Sequence, residues 1–205
     1  MIDNLIEDKL KEWAGSKNSL AARIAVFENI RDIPYALISE LRDPLTGPAG
    51  ILKLNKGSCV PKHFLLGLLF NKMGIAAKYV SYLYDWNDKE IQYPHALREL
   101  TKEMPITAHL ACKAYINKKW VLVDATWDLP LKNYGFPVNE KWDGFGDCKN
   151  AVKPIKEMIH KTLEERVQYS DDCRRFYTEK EKKTYEIFTA QLNEWLAMIR
   201  NGTGA

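Results

Sequence analysis

The sequence predicts an α+β fold in which helical patterns near both ends enclose a strand-rich middle. Apolar residues recur with helical spacing before residue 75 and again after residue 150. Between them, short runs rich in β-branched and aromatic side chains are typical of strands. The chain has 205 residues, 46% hydrophobic and 28% charged, which suits one substantial core. We therefore expect a single domain over residues 1–205.

The first part of the chain is predicted to hold three helices. The segment "MIDNLIEDKLKEW" is typical of an amphipathic helix. In "NSLAARIAVFENIRDI" a second helix has Asn18 or Ser19 as its N-cap and Pro34 after its end. The Pro/Gly-rich "RDPLTGPAGI" is expected to be a loop that leads to Cys59. Residues 60–73 are too apolar for a surface helix and predict a buried one, which Pro61 permits because it falls in the first turn.

Strands follow, and then further helices. The runs "IAAKYVSYLYDW", "ITAHLACKAYI" and "KWVLVDATW" predict three strands. Asn117 and Lys118 suggest a tight hairpin between the last two, although the usual glycine is absent. Residues 129–150 predict a long loop, and the segments "PIKEMIHKTLEERVQY" and "EKEKKTYEIFTAQLNEWLAMIR" predict helices. A core of about residues 20–130 would thus carry a helical extension of about 151–200.

Composition excludes several classes of function. A net charge of +3 without a clustered basic face gives no nucleic-acid footprint, and no apolar run approaches the ~20 residues of a membrane span. The start lacks the pattern of a signal peptide. The four cysteines form no C-x-x-C pair, which favours free thiols in a reducing compartment. We expect a cytoplasmic protein with no metal, cofactor, nucleic-acid or membrane partner; the sequence carries no signal for an oligomeric state.

Cys59 raises the question of reactivity. In "KGSCVPKHFLLGLLFNKMGI" it directly precedes the apolar helix, and a helix N-terminus can lower a thiol pKa from about 8.5 to roughly 3.5–7.5. A lone cysteine before such a helix is nevertheless more often a small buried residue. A nucleophilic role needs a base and a third group that orients the base.

The base must come from four histidines. His63 lies one turn further along the same helix and cannot easily reach its tip. His160 is expected on the surface, and His95 in a loop. His109 lies in a predicted strand and, across a hairpin centred at residues 117–118, pairs near residue 126. Asp124 is two positions away on the same face, so it can hold the imidazole of His109.

These residues also resemble a known family. The run "GSCVPKHFLLGLLFNKMGIAAKYV" resembles the cysteine block of the transglutaminase-like superfamily. "AHLACKAYINKKWVLVDATWD" is similar to its second block, with His109, Trp120 and Asp124 at the family's spacing. "FENIRDIPYA" is similar to the family's entry segment, so the resemblance covers about residues 23–128. It implies a papain-like core, with a nucleophile helix packed on an antiparallel sheet and additional N- and C-terminal helices.

The resemblance implies a Cys59–His109–Asp124 triad acting on a peptide or amide through a thioester. The expected activity is that of a cysteine-dependent hydrolase. The alternatives are a transamidase or acyltransferase with the same triad, or a non-catalytic protein-binding module. The Cys59 backbone N–H would be one oxyanion donor, and Tyr35 or Asn55 is a candidate for the second.

The sequence departs from the family pattern at two positions. Ala111 stands where an aromatic residue is usual, and Lys113 stands where an acidic residue is usual. Neither position belongs to the triad, so the departures imply a different substrate groove with the same chemistry.

Overall fold

The computed structural model describes residues 2–203 and shows an α+β architecture with one antiparallel sheet. Its α-helices are α1 (Ile2–Ala14), α2 (Ser19–Asp32), α3 (Gly47–Leu54), α4 (Cys59–Lys72), α5 (His95–Thr101), α6 (Leu163–Arg175) and α7 (Glu179–Arg200). Its strands are β1 (Ala77–Tyr84), β2 (Thr107–Ile116), β3 (Lys119–Val123) and β4 (Lys156–Ile159). Short 3₁₀ turns cover Ser39–Leu41 and Leu129–Tyr134. The predicted fold class is confirmed at this level.

The helices that precede the sheet follow the sequence pattern with one exception. The Asn18 side chain caps α2 by accepting a hydrogen bond of 2.9 Å from the backbone N–H of Ala21, and Pro34 follows its end. The predicted loop before Cys59 is wrong over Gly47–Leu54, which form α3. Pro48 occupies the first turn of α3, where a missing N–H costs no intrahelical bond, so the Pro/Gly-rich composition is compatible with a helix start.

The buried helix predicted for residues 60–73 is α4, and most of its residues are shielded from solvent. Pro61 is its third residue, as the first-turn argument requires. Gly74 follows its end with φ +76°, a left-handed conformation that glycine adopts without a steric penalty. Because α4 packs against β1 and β2, its N-terminal tip is fixed relative to the sheet.

The sheet has the strand order β3-β2-β1-β4, and every neighbouring pair is antiparallel. The hairpin between β2 and β3 turns at Asn117 and Lys118, both with positive φ (50° and 64°), which matches the twist of the flanking strands. Its register pairs Ile116 with Lys119 and Cys112 with Val123. The predicted hairpin is therefore present without a glycine, and Asp124 directly follows the last paired residue of β3.

The segment after the long loop is not one helix, as the sequence pattern suggested. Lys156–Ile159 form β4 on the free edge of β1, and α6 begins only at Leu163. Pairing with β1 outweighs the local helical pattern, since strand formation depends strongly on the available neighbour. The Thr162 hydroxyl accepts a hydrogen bond from the Glu165 backbone and starts the helix. His160, expected on the surface, is buried between these elements, with Nε2 2.9 Å from the Ser81 hydroxyl.

The last helix closes an aromatic core and is tied to the end of the sheet. Phe188, Trp195 and other residues of α7 pack with Trp86 and Trp127. The Arg200 guanidinium donates two hydrogen bonds of 2.8 Å to the Asp128 carboxylate. Among the described residues, no helix is both long and apolar enough to cross a membrane.

Candidate active site

Cys59 is the first residue of α4, where backbone N–H groups have no partner inside the helix. The preceding Ser58 is extended and makes no side-chain capping bond, so its hydroxyl does not compete for these donors. Gly57 fixes the backbone that leads into α4. Its carbonyl accepts a hydrogen bond from the Ala36 N–H (3.2 Å), and its N–H donates one to the Pro34 carbonyl (3.0 Å). A side chain at Gly57 would come within 3.1 Å of Pro61 and 2.9 Å of Ile51, so glycine permits this close packing. Cys59 is 8% exposed.

His109 and Asp124 meet on neighbouring chain segments beside Cys59. His109 Nε2 donates to Asp124 Oδ2 at 2.8 Å, and both side chains are almost completely buried. This bond occupies Nε2, which leaves Nδ1 of the imidazole for the thiol of Cys59. The order Cys59, His109, Asp124 is the arrangement in which a carboxylate orients a base that serves a nucleophile.

The electrostatics of the pair favour a thiolate and an imidazolium. Burial disfavours the thiolate of Cys59, but the charge and hydrogen bonding of His109 outweigh burial, so the pKa of Cys59 is lowered. Burial also disfavours charge on His109, yet Asp124 and Cys59 together raise the pKa of the imidazole above its ordinary value. The two shifts have opposite signs, as a proton transfer from sulfur to imidazole requires.

Asp124 is held by donors on several elements. Oδ1 accepts from the Thr126 hydroxyl at 2.6 Å, and Oδ2 accepts from the Ala151 backbone N–H at 2.9 Å as well as from His109. Although burial favours its protonated form, the charge and hydrogen bond of His109 lower the pKa of Asp124. The carboxylate is thus fixed in its charged form, and the loop after residue 129 contributes to the site through Ala151.

His63 lies close to the same carboxylate but is engaged by the backbone. Nδ1 donates to the Cys59 carbonyl at 2.8 Å, and Nε2 accepts from the Ala125 N–H at 3.1 Å. Burial lowers the pKa of His63 to about 4, against the opposing charge of Asp124. A neutral imidazole with both nitrogens occupied cannot act as the base, so the geometry leaves that role to His109. His63 instead connects the tip of α4 to the chain beside Asp124, a role that sequence reasoning missed.

Lys62 is a fully buried lysine in the same region. Its ammonium donates to the Arg31 carbonyl at 2.8 Å and to the Thr126 carbonyl at 2.7 Å, and the side chain has 0% exposure. Burial lowers the pKa of Lys62 to about 7, only partly opposed by the charge of Asp128. Lys62 thus joins α2 and α4 to the residues that follow Asp124.

Lys62→Met is expected to change how stability depends on pH. Between about pH 7 and 10 the unfolded chain binds more protons at Lys62 than the folded chain, so this group's contribution to the free energy of unfolding rises with pH. Urea denaturation of both proteins should show the wild-type stability gaining on that of the variant by roughly 1 kcal/mol per pH unit. The exposed Lys53→Met serves as the control. If the free energy of unfolding had the same slope against pH in the wild-type protein and in Lys62→Met, the lowered pKa of Lys62 would be contradicted.

A small cavity adjoins the thiol. We call it the Cys59 cavity; its walls include Tyr35, Tyr84, Trp86, Arg42, Arg166 and Arg174. It offers about 40 Å³, far less than the roughly 300–1,000 Å³ of typical ligand pockets, so it admits one small group. Burial and the neighbouring Cys59 charge raise the pKa of Tyr35, which keeps its hydroxyl a donor. Tyr35 is therefore placed where its hydroxyl could serve an oxyanion.

Asn55, the other candidate donor, is not brought to the cavity. It ends α3 in a left-handed conformation (φ 47°), and its side chain is exposed. The turn between α3 and α4 needs an αL residue there, a conformation that asparagine tolerates well. The position of Asn55 is thus explained by its backbone conformation. Tyr84, Trp86 and Arg166 do border the cavity, although the sequence analysis assigned them no role as donors or charges.

The remaining cysteines differ from Cys59. Cys112 is fully buried, and its thiol donates to the His63 carbonyl at 3.2 Å. Cys148 is also buried, and burial raises its pKa to about 12. Cys173 lies on α6 and is partly exposed. The pKa of Cys59 is lowered, whereas burial raises the pKa of Cys112 and that of Cys148.

Comparisons with known proteins give limited similarity. No family model matches the chain, and no curated protein matches it. One similar solved structure is a proposed cysteine protease from Cytophaga hutchinsonii, with 21% identity and a TM-score of 0.42 over 64% of this chain and 39% of that one. Another is a TGase, with 17% identity and a TM-score of 0.36 over 63% of this chain and 32% of that one. The chain thus spans well under half the length of either protein, and the site must be interpreted from its own geometry.

Proposed function

We propose that the protein is a cysteine-dependent hydrolase with a papain-like, transglutaminase-like core and a Cys59–His109–Asp124 triad, acting on a peptide or amide bond. The observation that carries the proposal is the buried chain of contacts from the tip of α4 through His109 to Asp124. A protein that used this fold only for binding would have no need of a thiol with a lowered pKa beside an oriented imidazole.

The proposed reaction begins with attack of the Cys59 thiolate on the substrate carbonyl. The oxyanion that forms would accept hydrogen bonds from the Cys59 backbone N–H and the Tyr35 hydroxyl. His109, protonated at the start, would give its proton to the leaving amine and so release the first product. A thioester on Cys59 remains, and neutral His109 would take a proton from the water that hydrolyses it.

The enzymatic role can be tested with a library of acyl-amides followed by mass spectrometry. We expect turnover by the wild-type protein and a loss of about 10⁶-fold in Cys59→Ala, since removal of a nucleophile abolishes the covalent route. Cys148→Ala is the matched control, because that thiol is buried away from the cavity. Turnover retained in Cys59→Ala would contradict the proposal.

Repeating the assay with an added primary amine distinguishes hydrolysis from acyl transfer. A hydrolase yields the free acid at a rate that the amine leaves unchanged. A transamidase yields the new amide at the expense of the acid. Two results together would instead favour a binding module. These are the absence of any acyl adduct on Cys59 across the library, and a rate of labelling of the Cys59 thiol that does not change when His109 is replaced.

A further inference from the structure

Arg166 is a buried cation that the described residues pair only in part. It extends from α6 to the Cys59 cavity and is 2% exposed. Its Nε is buried without a hydrogen-bond partner in the described part of the chain. A buried charge that is incompletely paired is costly, so a site that keeps one is suited to an opposite charge that arrives from outside.

Two further arginines border the same cavity. Arg42 donates to the Tyr185 hydroxyl at 2.9 Å, which orients its guanidinium without neutralising it. Arg174 pairs with Asp171 at 2.6 Å on the exposed side of α6. None of the described residues that line the Cys59 cavity is Asp or Glu. The cavity wall therefore carries an excess of positive charge close to the thiol.

The thiolate of Cys59 alone does not account for this arrangement. A thiolate that is paired with the His109 imidazolium already has its counter-ion, so the positive charge of Arg166 exceeds what the pair needs. Burial lowers the pKa of Arg166 to about 10, and Cys59 opposes that effect only in part. The guanidinium remains charged at neutral pH and retains free donors in a planar array that suits a carboxylate.

We propose that Arg166, supported by Arg42 and Arg174, forms a binding site for a carboxylate of the substrate next to the scissile amide. This inference rests on the proposed function and narrows its substrates to acyl-amides that carry a small acidic group near the reacting carbonyl. The volume of about 40 Å³ suits a carboxylate better than a bulky side chain. The site would thus select substrates by charge at the position that the cavity reaches.

Alkylation of Cys59 by two reagents of nearly equal size tests the site directly. Iodoacetate carries a carboxylate, iodoacetamide is neutral, and both form the same type of S–C bond with release of iodide. The quantity of interest is the ratio of their rate constants at Cys59, measured by peptide mass spectrometry at about 0.1 M salt, which screens long-range attraction. Changes in thiolate fraction or in access to the cavity affect both reagents alike and cancel in this ratio.

We expect the iodoacetate to iodoacetamide ratio to be at least about tenfold higher at Cys59 than for a synthetic "KGSCVPK" peptide in the same buffer, which corresponds to about 1.4 kcal/mol. Arg166→Gln should remove most of this preference. Arg175→Gln is the matched control, because Arg175 lies on the same helix with its side chain 71% exposed. A wild-type ratio equal to that of the peptide, or an Arg166→Gln variant that slows both reagents equally, would overturn the proposal.

A second measurement does not depend on folding of the Arg166 variant. In the wild-type protein at constant ionic strength, succinate should protect Cys59 from iodoacetamide in a saturable manner, whereas neutral succinamide should not. Arg42→Gln should weaken the protection by succinate. Equal protection of Cys59 from iodoacetamide by succinate and by succinamide would contradict the proposed carboxylate site. Rapid, His109-dependent alkylation by iodoacetamide without any preference for iodoacetate would reject the anion site while leaving the proposed nucleophile intact.

Discussion

Replacing Asp124 with alanine is expected to lower the free energy of unfolding by about 3–5 kcal/mol, because it leaves the buried His109 cation without its partner. The substitution also leaves the Thr126 hydroxyl and the Ala151 N–H without their acceptor. Urea denaturation measures the effect. Asp8→Ala is the control, since Asp8 is exposed on α1 and makes no side-chain contact of this kind with the described residues. A loss below 1 kcal/mol would contradict the central position of this carboxylate.

The same substitution should change the response to acid. The pKa of Asp124 is lowered in the folded protein, so its stabilising contribution is present above the unfolded value of about 3.9 and is lost as the pH falls below it. Below that pH the stabilities of wild-type and Asp124→Ala proteins should converge. The milder Asp124→Asn keeps the shape and is expected to lower turnover by about 10⁴-fold, because an amide no longer holds the imidazolium.

Replacing His109 with alanine is expected to slow alkylation of Cys59 by iodoacetamide at pH 6 by roughly 10- to 1,000-fold. The thiol remains buried but loses the charge that offsets burial, so its pKa should rise above the ordinary value. His95→Ala is the matched control, because His95 is exposed at the start of α5. An unchanged rate in His109→Ala would show that the helix terminus alone activates the thiol.

The family resemblance implied the proposed triad, and the local rules of helix and strand geometry were compatible with it. A cysteine before an apolar helix, and a histidine and an aspartate at matched positions around a two-residue turn, need only the periods of helix and strand. The turn was predicted at Asn117 and Lys118 although it lacks the usual glycine. In the structure both residues adopt positive φ, as such a turn requires. The observed register then brings Asp124 to hydrogen-bonding distance of His109.

Features that depend on distant partners were missed. The strand β4 exists because β1 offers a free edge, and nothing within "KEMI" distinguishes it from the start of a helix. One local signal was present: Thr162 and Glu165 have the spacing of a helix cap and mark the true start of α6. Arg166 belongs to a helix that looks solvated, and its burial follows from the packing of α6 against β1 and β2 beside the Cys59 cavity.

The most direct test is the complete pH–rate profile for alkylation of Cys59 by iodoacetamide in the wild-type protein and in His109→Ala. The account predicts that the wild-type midpoint lies below that of an ordinary cysteine thiol and that the midpoint of the variant lies above it, because the imidazolium stabilises the buried thiolate. The buried Cys112 should stay unmodified in both proteins over this range. A wild-type midpoint at or above that of an ordinary thiol would contradict the proposal that Cys59 and His109 form an ion pair ready for catalysis.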